Sequence, residues 1–131
     1  MPQVFMIVAP KVQPLFTESV FHELSGILIG TVEGVFGLVG KEDVTFTAVP
    51  AMYVQGDADV QVEIRFTAGK DEYGRGEPFE PTEEQMQLLA DSICVVLSMR
   101  APKGIMSISV WVIPYHGTVW KVDMDLGAAK A

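Results

Sequence analysis

Residues 59–68 read DVQVEIRFTA, an unbroken alternation of apolar and polar side chains. Val60, Val62, Ile64, Phe66 and Ala68 fall on one side of an extended chain, and Gln61, Glu63, Arg65 and Thr67 fall on the other. A period of two marks a strand with one face on a core and the other turned away from it. What flanks this strand decides the fold. Upstream, QVFMIVA (3–9) is apolar, β-branched and uncharged, which predicts a buried strand closed by Pro10 and Pro14. Thr17 then offers an N-cap for a helix over 18–36, with Gly37 as its stop. DVTFTAV (43–49) predicts the next strand, and AMYVQGDAD (51–59) a bend or hairpin.

Downstream of 59–68 the same order recurs. A loop rich in glycine, proline and charge (69–81) leads to Thr82, with Gln85 spaced to complete a capping box. Leu89, Ile93, Val96 and Leu97 give the helix over 83–100 its apolar face, and Arg100 suits its C-terminal dipole. After Pro102 and Gly104, IMSISVWVI (105–113) is a last long strand, and HGTVWKV (116–122) predicts a short edge piece. The chain is therefore two βαβ units in tandem, an α/β (α+β) fold. Right-handed crossovers build from them a four-stranded sheet with both helices on one face. Gly26, Gly30 and Gly34 form a stripe expected to bring the first helix close to that sheet. Residues 1–122 make one domain, and 123–131 are expected as a flexible tail.

Composition narrows the function classes. The 131 residues are 49% hydrophobic and 20% charged, which is the balance of a globular domain. Seventeen acidic side chains against nine basic ones give a net charge of −8, a field that repels nucleic acid. No basic segment precedes the first apolar run, and no uncharged stretch is long enough to span a bilayer. The single cysteine, Cys94, reads as a reduced core residue and suits a cytoplasmic protein. His22 and His116 lack a third ligand at metal spacing, and no phosphate-cradling glycine loop is present, so no metal or cofactor is expected.

The residue with chemistry to explain is Pro2. Initiator methionine is commonly trimmed before proline, which would leave a secondary amine at the start of a buried strand. Such an amine serves as a base near neutral pH when burial or nearby cations depress its pKa. A proline there equally well only opens a strand. Lys41, Arg65 and Lys70 are the candidate cations for an enolate or a carboxylate.

The Met1-Pro2 start, the tandem βαβ of this length, VGKEDVTFTAVP (39–50), EIRFTAGK (63–70) and SISVWVIPYHGTVW (107–120) together resemble the tautomerase superfamily. That family includes the migration inhibitory factors, the 5-carboxymethyl-2-hydroxymuconate isomerases and the 4-oxalocrotonate tautomerases. The resemblance implies a homotrimer with sheets packed around a central axis and Pro2 as general base. It implies a pocket lined by Lys41, Ala68, Gly69 and Lys70, with Ser107 and Ser109 where the migration inhibitory factors place a Tyr and an Asn. The implied activity is cofactor-independent keto–enol tautomerisation of a small carboxylate-bearing substrate. Two alternatives stand beside it: the same trimer acting as an inactive scaffold or ligand binder, and a ferredoxin-like regulatory module, because βαββαβ is also that fold's order.

Overall fold

The structure, a computed structural model, describes residues 2–37, 44–51, 58–66 and 80–126. Strand β1 (Pro2–Val8) buries Pro2, Val4, Met6 and Val8 and leaves Gln3, Phe5 and Ile7 half-covered on its other side. A 3₁₀ turn over Pro10–Leu15 follows. Its Gln13 Nε2 donates to Val8 O at 3.1 Å and to Ala51 O at 2.8 Å. One side chain thereby ties down two strand ends.

Helix α1 (Glu18–Phe36) starts at Thr17, whose hydroxyl accepts from the Val20 amide at 3.2 Å. It ends at Gly37, held at φ 68°, a left-handed conformation that glycine adopts without steric cost. Strands β2 (Thr45–Pro50) and β3 (Val60–Phe66) come next. Helix α2 (Glu83–Arg100) opens with the expected capping box: Gln85 N–H donates to Thr82 Oγ1 at 3.1 Å, and Thr82 N–H to Gln85 Oε1 at 2.9 Å. Strands β4 (Ser107–Ile113) and β5 (Trp120–Asp125) complete the chain's elements.

The strands form one mixed sheet in the order β2-β1-β3-β4-β5. Each βαβ unit supplies a parallel pair, β1 with β2 and β3 with β4, and β1 joins β3 antiparallel in the middle. The core lies between sheet and helices: Val4, Met6, Val62, Ile64, Val110 and Val112 meet Leu24, Leu28, Leu89, Ile93 and Leu97, each at most 1% exposed. No described helix covers the opposite face of the sheet.

Four expectations need correction. The sheet has five strands rather than four, because β5 pairs antiparallel with β4 from Val112↔Trp120 to Ser107↔Asp125. Residues 123–126 are accordingly not tail: Leu126 is fully buried and donates its N–H to Met106 O at 2.7 Å. The ferredoxin-like arrangement is not formed. That fold splits its βαβ units with an intervening strand, whereas here the two strands of each unit are direct neighbours. Gly26, Gly30 and Gly34 do not face the sheet. Leu24, Leu28 and Val32 do, and the glycines lie exposed on the outer side.

A Cβ added at Gly26, Gly30 or Gly34 would meet no atom within 4 Å. Each glycine therefore costs helix stability without a packing return. Gly30→Ala should raise unfolding free energy by about 0.5–1 kcal/mol, and the triple alanine variant by about 2, read as a higher urea midpoint at unchanged slope. A fall in stability would mean that another surface packs on that stripe in solution.

Candidate functional site

Pro2 opens β1, an interior strand of the sheet, facing the helix layer, opposite Phe66 at the end of β3. Phe66 is 3% exposed and meets Phe36, the last residue of α1, edge-on at 5.1 Å between ring centroids. Because β1 and β3 are antiparallel, the first residue of β1 lies beside the last residues of β3 and β4. Gln3 pairs with Arg65, and Arg65 with Ile113. Among the described residues, the helix side of this end is apolar around Pro2. With Met1 attached, the nitrogen of Pro2 is a tertiary amide and has no basic lone pair.

Lys41 falls in 38–43, and Ala68, Gly69 and Lys70 fall in 67–79, all outside the described residues. The described residues that bracket them do belong to the Pro2 end. Gly37 follows Phe36, Val44 precedes the Thr45↔Gln3 pair, and Phe66 is the partner of Pro2. Glu80, on the far side of the second segment, accepts the His116 N–H at 2.9 Å just beyond β4.

Arg65 belongs to the opposite face from Pro2. Its Nη2 and Nε donate to Glu63 Oε2 at 2.7 and 3.1 Å, and its guanidinium lies 5.3 Å from the centre of the Phe5 ring. Gln61 Nε2 donates to the other Glu63 oxygen at 2.9 Å. Ser107 and Ser109 also lie away from Pro2 in the same chain. Ser107 pairs beyond the Val60 end of β3, about 20 Å along the strands from Phe66, and its Oγ accepts the Asp59 N–H at 3.0 Å. Ser109 Oγ accepts from Trp111 Nε1 at 2.8 Å on the open face. One chain alone does not gather Pro2, Arg65, Ser107 and Ser109.

A concavity of about 320 Å³ does exist at the Pro2 end, lined by Pro81, Met86, Pro114, His116, Thr118 and Trp120 among others. Strand β3 lies between it and Pro2. Among the described residues, no group of three or more His, Cys, Asp or Glu is placed to hold a metal ion. No described helix is long and apolar enough to cross a membrane. His22 is exposed on α1, and His116 is exposed in the turn before β5.

The other end of the sheet is built around a buried acid. Asp59 is 1% exposed, and its Oδ2 accepts the Met106 N–H at 2.8 Å. Its Oδ1 accepts no aligned hydrogen bond. The compensation is Lys11, whose Nζ lies 2.9 Å away while most of that side chain stays in solvent. An acid directly before an alternating strand was the available signal, masked by its setting in the turn-like run GDAD (56–59).

Compared with known proteins, the chain matches no family model and no curated sequence.

Two outcomes follow from these environments. Lys11→Met should cost about 1–2 kcal/mol, and adding Asp59→Asn should recover part of it, because a neutral amide tolerates burial without a counter-charge. A double-mutant cycle in urea checks the pair, and additive losses would show the two groups uncoupled. The Cys94 thiol is pushed up from 9.0 to about 11, chiefly by burial, with the Asp91 and Asp123 charges adding to it. The folded state thus keeps a proton that the unfolded state releases, so this contribution to stability is lost as pH rises from about 9 towards 11. At pH 8 the native thiol should react with a disulfide reagent roughly 100-fold more slowly than in urea, and Cys94→Ser should flatten the alkaline loss.

Proposed function

We propose that the protein is a cofactor-independent keto–enol tautomerase that uses the freed N-terminal amine of Pro2 as its general base. The observation that carries this reading is the position of Pro2. It starts an interior strand in apolar surroundings, at the sheet end where the segments holding Lys41 and Lys70 attach. An amine buried beside Phe66 is harder to protonate than one in water, which favours the neutral, basic form near pH 7. The base takes a proton from carbon next to the substrate carbonyl, the electron pair moves onto oxygen as an enolate, and the proton returns to oxygen or to a second carbon. Lys41 and Lys70 are the cations proposed to hold the developing charge and a substrate carboxylate.

The same reading assigns the uncovered sheet face to other copies of the chain in a homotrimer. The Gln61, Glu63 and Arg65 row is internally hydrogen bonded, so it tolerates partial burial at a subunit boundary. A second copy is also the proposed route by which Ser107 or Ser109 approaches a Pro2 site they do not reach within one chain. The enzyme reading and the scaffold reading share this assembly and differ in chemistry alone.

The decisive experiment separates the Met1-bearing form from the trimmed form by mass and assays both for ketonisation of phenylpyruvate and 2-hydroxymuconate. The trimmed form should be active, and the Met1-bearing form should be inert. Trimmed Pro2→Ala should keep the fold and lose about 10²-fold or more in kcat/KM. Activity should rise with pH as the amine loses its proton. Equal rates in trimmed and untrimmed protein would exclude Pro2 as the base. Inactivity in both would leave the scaffold reading.

A further inference from the structure

The two edges of the sheet are built differently. At one edge, β5 carries Lys121, Asp123 and Asp125, all exposed. Charges on an edge strand oppose the addition of a further strand, a common protection against unwanted pairing. At the other edge, β2 reads TFTAVP and has no charged side chain, with Pro50 only as its last residue. Among the described residues, β2 pairs with β1 along one side and with no strand along the other. Among the described residues, its outer edge therefore offers backbone donors and acceptors that no strand covers.

Beside that edge, on the helix side, lies an open groove of about 760 Å³. Phe46 and Ala48 of β2 and Phe21 of α1 line it with apolar surface, and Glu18, His22 and Ser25 stand among its polar groups. Phe46 and Ala48 are two residues apart, so they share one face of β2 at the repeat of an extended chain. The large ring next to a small methyl leaves relief into which a side chain of an added strand fits. Sign of charge follows from the rim. Glu18 is exposed in the first turn of α1, no lysine or arginine among the described residues lines the groove, and the chain carries −8. The Thr17 hydroxyl already takes the Val20 N–H of that helix end, which removes one donor an anion would use.

We infer that this edge and groove bind an extended peptide segment carrying positive charge, which adds to β2 as a further strand. Main-chain hydrogen bonds to β2 supply affinity, alternate small apolar side chains enter the Phe21–Phe46–Ala48 groove, and a lysine or arginine meets Glu18. The surface lies on the helix side and at the rim, apart from the open sheet face assigned to the trimer. It does not depend on the Pro2 chemistry.

The test uses the full chain and an end-blocked octapeptide, KTVTVTVK, followed by NMR amide shifts and hydrogen exchange. The peptide should slow exchange of amides within Thr45–Val49 and shift Phe46, and ETVTVTVE should bind more weakly. The same peptide N-methylated at every second residue should not bind, since it keeps charge and side chains but cannot build the ladder. Glu18→Lys, a solvent-exposed change, should weaken KTVTVTVK about two- to fivefold, the scale of one exposed ion pair, and favour the acidic peptide instead. Any of three results would overturn the inference. The first is no response of β2 at about 1 mM peptide, the range of the weakest specific contacts. The second is equal binding of the N-methylated peptide. The third is a β2 edge already protected in the protein alone and released on dilution, which would show a second copy in the groove.

Discussion

The antiparallel contact between β1 and β3 is the constraint from which the other features follow. Each βαβ unit is a parallel pair with one helix, and neither unit encloses a core alone. Joining them along β1 and β3, from Pro2↔Phe66 to Val8↔Val60, places four strands edge to edge and brings both helices to one side. Val4, Met6, Val62 and Ile64 then form the centre of a shared apolar layer, each at most 1% exposed. The antiparallel sense has a second consequence. It sets the amino end of the first unit against the carboxyl ends of the second unit's strands, where open α/β sheets gather their ligand-binding groups. A parallel contact would have put Pro2 beside Asp59 and Ser107 instead.

The two ends of the sheet are accordingly unlike. The end holding Asp59 is fastened by polar side chains: Asp59 joins Met106 and Lys11, Ser107 holds the Asp59 amide, and Gln13 ties Val8 to Ala51. Each removes a backbone or carboxylate group that would otherwise be buried without a partner. The Pro2 end has aromatic and apolar contacts, with Phe36 on Phe66 and a buried Pro114 after β4. The proposed proton abstraction calls for low local polarity around an amine, which the described contacts at this end match. The fastened end is suited to holding the strands in register.

The elements were legible because their signals are local. The alternation over Val60–Phe66, the Thr82 and Gln85 spacing and the Thr17 and Gly37 boundaries each depend on a few neighbouring residues, and each is found in the structure. What failed depended on distant partners. The glycine stripe of α1 was read as a packing face because small residues allow close approach. Leu24, Leu28 and Val32 outcompete it because apolar burial, not closeness of backbones, chooses which side of a helix faces a sheet. The fifth strand was under-read because WKVDMD alternates with acidic residues, and its inward row of Trp120, Val122 and Met124 becomes apparent only beside β4. Ser107 and Ser109 join Pro2 only through the family resemblance, and Arg65 only as a nearby cation. Register alone separates them, and register is not written in any one segment.

The fate of the cations narrows the chemistry further. Of nine lysines and arginines in the chain, five lie among the described residues. Lys11 answers Asp59, Arg65 answers Glu63, and Arg100 lies 3.8 Å from Glu23. Lys121 lies 3.4 Å from Asp123 and over the Trp111 ring at 4.9 Å. Lys103 follows α2 at the end away from Pro2, the end where Arg100 meets the start of α1. Diverting Lys11 or Arg65 to a substrate would leave a largely buried Asp59 or Glu63 carboxylate without its counter-charge. In the proposed chemistry, an enolate at Pro2 would draw its positive charge from Lys41, Lys70, Arg75 or Lys130, which lie outside the described residues, or from a second copy of the chain. Four of the five described cations thus answer acidic side chains, and the proposed chemistry turns to those outside the described residues.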